Sequence, residues 1–419
     1  MLNRRQFLRG AASTLALIES GKLLALQSSA ATALPVQTME PWRQGLLDIH
    51  HISTGRGNST LAICPDGTSI MIDAGAVGTS VDALGPARPD DSRRPGEWIG
   101  RYALHHLRAA PRQELDYFVL THFHGDHMGD LTPASPLARS GEYRLTGVTD
   151  VAEMIPIRCL IDRGFHDYSY PAPPTYDATL NYIKFARYAA KHGTKVERLH
   201  VGSAAQIALQ HSHDASMEIR NLAANGEVWT GRGDETVRLF PDLAALKPNE
   251  LPTENACSIA LRLSYGSFRY YAGGDLTCDT RFGSQPWMDV ETAAARVAGP
   301  VSVSTLDHHG YYDGTCPAFV RSMRSRIYIL QSWHASHPAL SVLDELYSPV
   351  LEPGPHDVVS TGLVHAASLA DARLSDKMLS QHGHVVVRVS PEGKQYEVLI
   401  LDDTSEDGRV MNRFGPYLS

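Results

Sequence analysis

The chain has 419 residues, of which 43% are hydrophobic and 20% are charged, and this composition is typical of a globular protein rather than a fibrous or disordered one. The apolar segment near the N-terminus is interrupted by Glu19 and Lys22. It is therefore shorter than the roughly 18 uncharged residues that a membrane-spanning helix requires. The formal net charge of −8 repels phosphate backbones, so we expect no stable nucleic-acid binding.

The first 33 residues have the pattern of an export signal. Arg4 and Arg5 in NRRQFLRG precede a mildly apolar stretch that ends at ATA, residues 31–33, a small-x-small cleavage pattern. The segment resembles a twin-arginine signal, which implies recognition by the twin-arginine export machinery and a periplasmic or secreted location. An ordinary secretory signal or an amphipathic helix is the alternative. Cleavage would leave residues 34–419 with a net charge of −11 and no transmembrane segment.

Short strands alternate with a few helices along the chain. STLAIC and SIMIDAG around the turn PDGT predict a hairpin, EWIGRYALHHLRAA predicts a helix, and LDYFVL predicts a buried strand. Residues 130–250 contain one clear helix, ATLNYIKFARYAAKHG, among Pro- and Tyr-rich loops, and we interpret them as a variable insertion. Strand patterns return in CSIALRLSYGSFRYYAGGD, VSVSTLDHHG and RIYILQSW, and HVVVRVSPEGKQYEVLILDD predicts a final hairpin. Two β-rich halves with helices predict an α/β fold with sheet-on-sheet packing.

The five cysteines are scattered and form no CxxC motif, which disfavours a zinc knuckle or a dense disulfide framework. Cys257 and Cys278 flank the predicted hairpin of the second half. In an oxidising compartment these two are the pair that we expect to bridge.

The segment THFHGDHMGD, residues 121–130, follows the buried strand and carries an unusual density of metal-binding side chains. Alternate residues of an extended segment share a face, so His122 and His124 project together and can bind one cation. Gly125 permits a sharp turn that brings Asp126 and His127 to the same pocket as a second set of ligands. Two adjacent metal ions are the simplest explanation of this pattern.

Two later segments place further ligands at strand ends. YYAGGD ends in Asp275, whose two carboxylate oxygens could bridge two ions, although a GGD sequence alone is more often a turn. TLDHHG ends in His308 and His309, which alone are as consistent with structural histidines as with ligands. Their order after THFHGDH strengthens the metal-site interpretation of both.

The order IDAG, THFHGDH, GGD and HHG resembles the metallo-β-lactamase superfamily, and within it the branch of ComEC-like hydrolase domains and phosphorylcholine esterases. The resemblance implies an αββα sandwich with an inserted loop and helix region at 130–250, and a hydrolase domain over residues 34–419. It also implies two metal sites that share one carboxylate. The implied roles are His122 and His124 on the first ion, Asp126, His127 and His309 on the second, Asp275 as the bridge, and Asp126 and His308 as catalytic residues, His308 facing the substrate or protonating a leaving group.

The third ligand of the first ion departs from the pattern of this family. Its usual histidine is replaced by Asn255 in TENACS, and a neutral amide is a poor ligand for zinc. His166, His211 and His213 in the 130–250 region are the alternative ligands. We therefore expect two divalent ions, with zinc as the first expectation and manganese or iron as alternatives.

Two cations that share a water lower its pKa and stabilise charge on the attacked group, which indicates hydrolysis. The leading hypothesis is an exported phosphoesterase or phosphodiesterase that acts on a small molecule or an envelope polymer. The alternatives are a hydrolase of lactones or amides and a non-catalytic metal-binding protein, the latter suggested by Asn255.

Overall fold

The described part of the chain alternates strands and helices. The computed structural model describes residues 37–78, 82–212, 216–370 and 372–419. The strands are β1 (Leu47–His51), β2 (Thr60–Ile63), β3 (Ser69–Ile72), β4 (Leu115–Val119), β5 (Ile157–Asp162), β6 (Lys195–Arg198), β7 (Met217–Ala224), β8 (Glu227–Trp229), β9 (Thr236–Arg238), β10 (Ala260–Tyr265), β11 (Phe268–Ala272), β12 (Val303–Thr305), β13 (Ile327–Leu330), β14 (Asp357–Ser360), β15 (His384–Val389), β16 (Gln395–Leu401) and β17 (Val410–Leu418). The α-helices are α1 (Pro95–Leu107), α2 (Gly125–Met128), α3 (Val148–Met154), α4 (Asp177–Lys191), α5 (Val290–Ala298), α6 (Pro317–Met323), α7 (Leu340–Leu346), α8 (His365–Ala370) and α9 (Ala372–Ser375).

The strands form two mixed sheets. The first has the order β17-β16-β15-β1-β2-β3-β4-β5-β6, and the second has the order β14-β13-β12-β11-β10-β7-β8-β9. Strands β3 to β6 are parallel in the first sheet, and β11 to β14 are parallel in the second. Because parallel strands end at the same edge of a sheet, the segments that follow β3 and β4 lie together, as do those that follow β11, β12 and β13.

Alternate residues of a strand pack into different layers. In β2, Leu61 and Ile63 belong to a core that includes residues of α1, α3 and α4, whereas Ala62 belongs to the core between the two sheets. The outer face of the second sheet packs against Ala294 of α5 and Phe319 of α6. The layers therefore run helix, sheet, sheet, helix, and the predicted αββα sandwich is confirmed.

The strongest local patterns are confirmed by the structure. The predicted hairpins correspond to β2–β3, β10–β11 and β15–β16, and the two predicted helices correspond to α1 and α4. Residues 130–250, interpreted as an insertion, also supply β5 to β9 to the two sheets. The predicted signal peptide lies outside the described residues and stays a prediction. Among the described residues, no helix is both long and apolar enough to cross a bilayer.

The expected bridge between Cys257 and Cys278 is wrong: both are free thiols, and the fold places them in different surroundings. Cys257 is buried just before β10, whereas five residues separate the end of β11 from Cys278. There the backbone N–H of Cys278 donates to the carbonyl oxygen of Asp313 at 2.8 Å. The hairpin ends therefore diverge, and Cys278 lies beside Cys316 instead.

Candidate metal centre

The predicted ligand segment begins two residues after β4 and turns into α2 at Gly125. Thr121, His122 and His127 are buried, whereas His124 and Asp126 are partly exposed. A Cβ atom at Gly125 would lie 1.8 Å from Oδ1 of Asp130, so a larger residue could not fit without displacing the Asp130 side chain. The turn allows side chains on both sides of Gly125 to face one pocket.

The first group of ligand atoms comes from His122, His124 and Asp275. Nε2 of His122 lies 3.1 Å from Nδ1 of His124 and 3.5 Å from Oδ2 of Asp275. One ligand atom from each of the three residues lies within 4.8 Å of the others. We call this set the first cluster.

The second group comes from Asp126, His127, His309 and again Asp275. Nε2 of His309 lies 2.8 Å from Oδ2 of Asp126 and 3.4 Å from Nε2 of His127. The carboxylate of Asp275 completes the set, with Oδ1 3.0 Å from His127 Nε2 and Oδ2 3.5 Å from His309 Nε2. We call this set the second cluster.

These separations fit divalent metal ions. Ligands about 2.0–2.1 Å from a tetrahedral ion lie roughly 3.3 Å from one another, close to the spacings in both clusters. Oδ1 of Asp275 is buried and accepts no hydrogen bond from any described residue, although it lies near His127. A carboxylate so placed, 1% exposed, is well suited to bind a cation, and it belongs to both clusters.

The imidazoles of the second cluster are oriented by partners outside it. Nδ1 of His127 lies 2.7 Å from Oδ2 of Asp73, the aspartate of the IDAG motif, and Thr121 Oγ1 donates to the same oxygen at 2.8 Å. Nδ1 of His309 lies 3.0 Å from the carbonyl oxygen of Gln331, just after β13. When each Nδ1–H donates to these acceptors, each Nε2 lone pair faces the pocket, which is the tautomer that a metal ligand requires.

The electrostatics of the second cluster also favour a cation. Burial alone would lower the pKa of His127, but Asp275, Asp73 and Asp126 outweigh burial and raise this pKa well above its usual value. Burial likewise opposes the effect of the carboxylates on His309, yet Asp275 and Asp126 raise its pKa to about 9. In the first cluster the balance differs, because burial and then His127 lower the pKa of His122 well below its usual value. The second cluster therefore favours positive charge, whereas His122 is a neutral ligand.

His308 lies beside the clusters but belongs to neither set of ligand atoms. Its Nδ1 is 2.6 Å from Oδ1 of Asp313, and its Nε2 is 3.1 Å from Nδ2 of Asn255 and 3.9 Å from Oδ2 of Asp275. The carboxylate of Asp313 fixes the orientation of the ring and the position of one proton. Asn255, predicted as an uncertain first-metal ligand, thus directs its amide nitrogen to His308.

An ion pair between buried Arg163 and partly exposed Glu254 supports the ligand segment. Oε1 of Glu254 accepts a hydrogen bond from the backbone N–H of Phe123 at 2.8 Å and another from Nε of Arg163 at 2.7 Å. Arg163 is 3% exposed, and its guanidinium group lies over the ring of Phe123, 4.5 Å from the centroid. This contact holds the backbone between His122 and His124 against the segment that carries Asn255.

The structure brings together His122, His124, Asp126, His127, Asp275, His308, His309 and Asn255. The alternative ligands are not brought there: His166 is exposed, and Nε2 of His211 lies 3.3 Å from Asp116 near the other end of β4. His213 lies outside the described residues.

Several supporting residues were missed by the sequence analysis. Asp313 follows HHG closely in HHGYYDG, and this nearby carboxylate could have been noted as a partner for a histidine. The pairing of Arg163 with Glu254 joins residues 91 positions apart, and no local pattern signals it.

No family model and no curated protein matches the chain. Among solved structures, a variant of CmlA beta-hydroxylase is 12% identical at a TM-score of 0.39, covering 84% of this chain and 55% of that one. The chain therefore spans about half the length of that protein.

Two further solved structures are similar at the same low level. A metallo-beta-lactamase from Cronobacter sakazakii is 13% identical at a TM-score of 0.30, covering 64% of this chain and 79% of that one. A diphosphatase of the PhnP family is 9% identical at a TM-score of 0.36, covering 83% of this chain and 98% of that one. Matches at this level do not assign the chain to a family.

Proposed function

We propose that this protein is a metal-dependent hydrolase that uses two divalent cations to cleave a phosphoester or phosphodiester. The single observation that carries the proposal is the position of Asp275 between the clusters, because its Oδ2 lies 3.5 Å from Nε2 of both His122 and His309, and its Oδ1 lies 3.0 Å from Nε2 of His127. A carboxylate shared between two nitrogen-rich clusters is the arrangement that a two-metal site needs.

The two clusters would each hold one ion. His122, His124 and Asp275 would hold the first, and Asp126, His127, His309 and Asp275 would hold the second. When bound, such a pair of ions supplies a water of lowered pKa and neutralises charge on the attacked group. Mixed imidazole and carboxylate donors suit zinc, while manganese and iron remain compatible with them.

Residues beside the two clusters would act on the leaving group of the substrate. His308 would donate a proton to the leaving oxygen from Nε2, with Asp313 holding the proton on Nδ1. The amide of Asn255 faces the same Nε2, and the buried Oδ1 of this residue accepts no hydrogen bond from any described residue. A half-turn of the amide would present Oδ1 to a protonated ring, so Asn255 can serve His308 in both protonation states.

The choice of a phosphoester is supported by the order of the motifs, which resembles ComEC-like domains and phosphorylcholine esterases. The same resemblance supports the proposal that the chain belongs to the metallo-β-lactamase superfamily. The twin-arginine pattern at Arg4 and Arg5 supports export to the periplasm or beyond. Replacement of both arginines by lysine is expected to retain the protein in the cytoplasm, which fractionation of the host cells would measure.

A substrate panel tests the proposed activity. We expect the metal-loaded protein to hydrolyse bis(p-nitrophenyl) phosphate, and His124→Ala to lose most of this turnover, while His192→Ala, an exposed histidine at the end of α4, retains it. Turnover of lactones or β-lactams without phosphodiester cleavage would redirect the proposal to acyl transfer. Bound metal with no turnover on any ester would favour the non-catalytic alternative.

The role of His308 is tested by the dependence on the leaving group. His308→Gln is expected to retain both ions and to lower kcat by about 10²-fold, the usual contribution of a general acid. The loss is expected to be greater for an alkyl diester than for a p-nitrophenyl diester, because a good leaving group needs no proton. An equal loss on both substrates would contradict the assignment.

A further inference from the structure

A second group of reactive side chains lies next to the candidate metal centre. Cys278, Glu291 and Cys316 each offer one ligand atom, and these atoms lie within 4.8 Å of one another. Cys278 follows Asp275 by three residues, and Cys316 ends the segment that begins with His308 and His309. The two thiols therefore lie where the segment that follows β11 meets the segment that follows β12.

The hydrogen bonds of this group fix the backbone at Cys316 and place the two thiols. The carboxylate of Glu291 is buried and accepts the backbone N–H groups of Thr315 and Cys316. Sγ of Cys278 lies 3.3 Å from the carbonyl oxygen of Asp313, and Sγ of Cys316 lies 3.5 Å from Oγ1 of Thr292. Glu291 thus fixes the backbone at Cys316, and both thiols are held in place beside each other.

Exposure separates this pair from the other cysteines. Cys64, Cys159 and Cys257 are buried, whereas Cys278 and Cys316 are both partly exposed. A thiol reacts with an oxidant only if the oxidant reaches it, so these two are the most accessible of the five.

We propose that Cys278 and Cys316 form a reversible disulfide that ties the segment of Asp275 to the segment of His308 and His309. The proximity of the sulfur atoms, their accessibility and the backbone contacts that already join the two segments carry this inference. One such contact is the hydrogen bond from the backbone N–H of His308 to the carbonyl oxygen of Gly274 at 3.1 Å.

The chemistry is thiol–disulfide exchange with a small or protein disulfide as the oxidant. The thiolate of Cys316 attacks one sulfur of the oxidant and releases the other as a thiol, which forms a mixed disulfide. Cys278 then loses its proton, attacks the sulfur of Cys316 and releases the second oxidant thiol. Two protein thiols are thereby oxidised by two electrons, and the oxidant disulfide is reduced to two thiols.

The pKa values agree with this order of attack. The neighbouring thiol of Cys278 is the main cause that lowers the pKa of Cys316 to about 5, and it outweighs the opposing effect of burial. The proximity of Cys316, and then burial, raise the pKa of Cys278. Cys316 is therefore the attacking thiolate and Cys278 the resolving thiol.

A count of free thiols tests the disulfide on the full chain. After treatment with oxidised glutathione and denaturation, we expect the five thiols of the reduced protein to fall to three. Peptide mapping should find one bridge, between the peptides of Cys278 and Cys316. Cys159→Ser is the matched control and should lose two thiols in the same way, whereas Cys316→Ser should form no internal bridge. Five free thiols after oxidation, or a bridge between another pair, would overturn the proposal.

Two further measurements separate the disulfide from other roles of the pair. Reduced wild-type protein and reduced Cys316→Ser should bind the same number of Zn²⁺ ions, and loss of a whole ion from the variant would overturn the disulfide in favour of a metal site. If the proposed two-metal function holds, chelator should remove metal several-fold more slowly from oxidised than from reduced wild-type protein. The thiol count does not depend on metal, so failure of the disulfide and failure of the proposed function are distinguishable.

Discussion

The two clusters of the candidate metal centre share Asp275 but differ in how firmly their other ligands are held. The second cluster has four ligand residues, and both of its imidazoles are oriented by outside acceptors, Asp73 and the Gln331 carbonyl. The first cluster has three ligand residues, and His124 is partly exposed. Because outside hydrogen bonds strengthen metal binding, we expect the second cluster to hold its ion tightly and the first to exchange it readily.

The largest effect is expected from the residue that both clusters share. Asp275→Ala removes a ligand from each cluster and should lower phosphodiester turnover by about 10³-fold or more, since a metal pair contributes several kcal/mol to the transition state. Metal analysis should show that both ions are weakened. If the variant still held two ions with wild-type affinity, the clusters would not share this carboxylate.

Separate substitutions should distinguish the clusters. His309→Ala should abolish tight binding of one ion and lower turnover by roughly 10²-fold or more, whereas His124→Ala should remove only the readily exchanged ion. Equilibrium dialysis against a graded series of free Zn²⁺ concentrations measures both. If the two variants lost ions of the same affinity, the two clusters would not differ in how tightly they bind metal.

In the metal-free protein, the difference between the two clusters should appear in how the free energy of unfolding depends on pH. Because the folded pKa of His309 is raised to about 9 from an ordinary value near 6.5, its charged form stabilises the folded state by roughly 3 kcal/mol below pH 6.5. This stabilisation is lost as pH rises from about 6.5 through 9. His122, whose pKa is lowered by burial, cannot contribute in that range. Urea unfolding of metal-free wild type and of metal-free His309→Gln between pH 6 and 10 measures the difference, and parallel curves would contradict it.

A smaller effect is expected from a residue that touches no ion. Asp73→Asn keeps the shape of the side chain but weakens its hold on Nδ1 of His127. Affinity for the tightly held ion should fall by about 10–100-fold, while the readily exchanged ion is unaffected. Thr179→Ser serves as the control. Thr179 is buried and its hydroxyl donates to the carbonyl oxygen of Phe123, so this conservative change should leave both affinities unchanged.

Sequence patterns predicted the elements whose signals are local. Alternation after a buried strand placed His122 and His124 together, and strong apolar periodicity located α1 and α4. Within 130–250, β8 and β9 were not predicted because they have three residues each and are too short for a clear alternating pattern. The longer β5 and β7 were also missed, since their burial does not alternate regularly along the strand. The pairing of Arg163 with Glu254 depends on tertiary contacts, whereas Asp313 lies only five residues after His308 and was a local signal that was overlooked. The pairing of Cys278 with Cys316 likewise follows from two loops that meet only in the fold.

The most direct test of the two-metal account is stepwise removal of metal from the wild-type protein by a chelator, with metal content and phosphodiester turnover measured at each step. The account predicts two ions per chain that leave in two separate steps, with His124→Ala showing only the second step. One ion or none in fully loaded wild-type protein, or retention of both ions by Asp275→Ala, would contradict it.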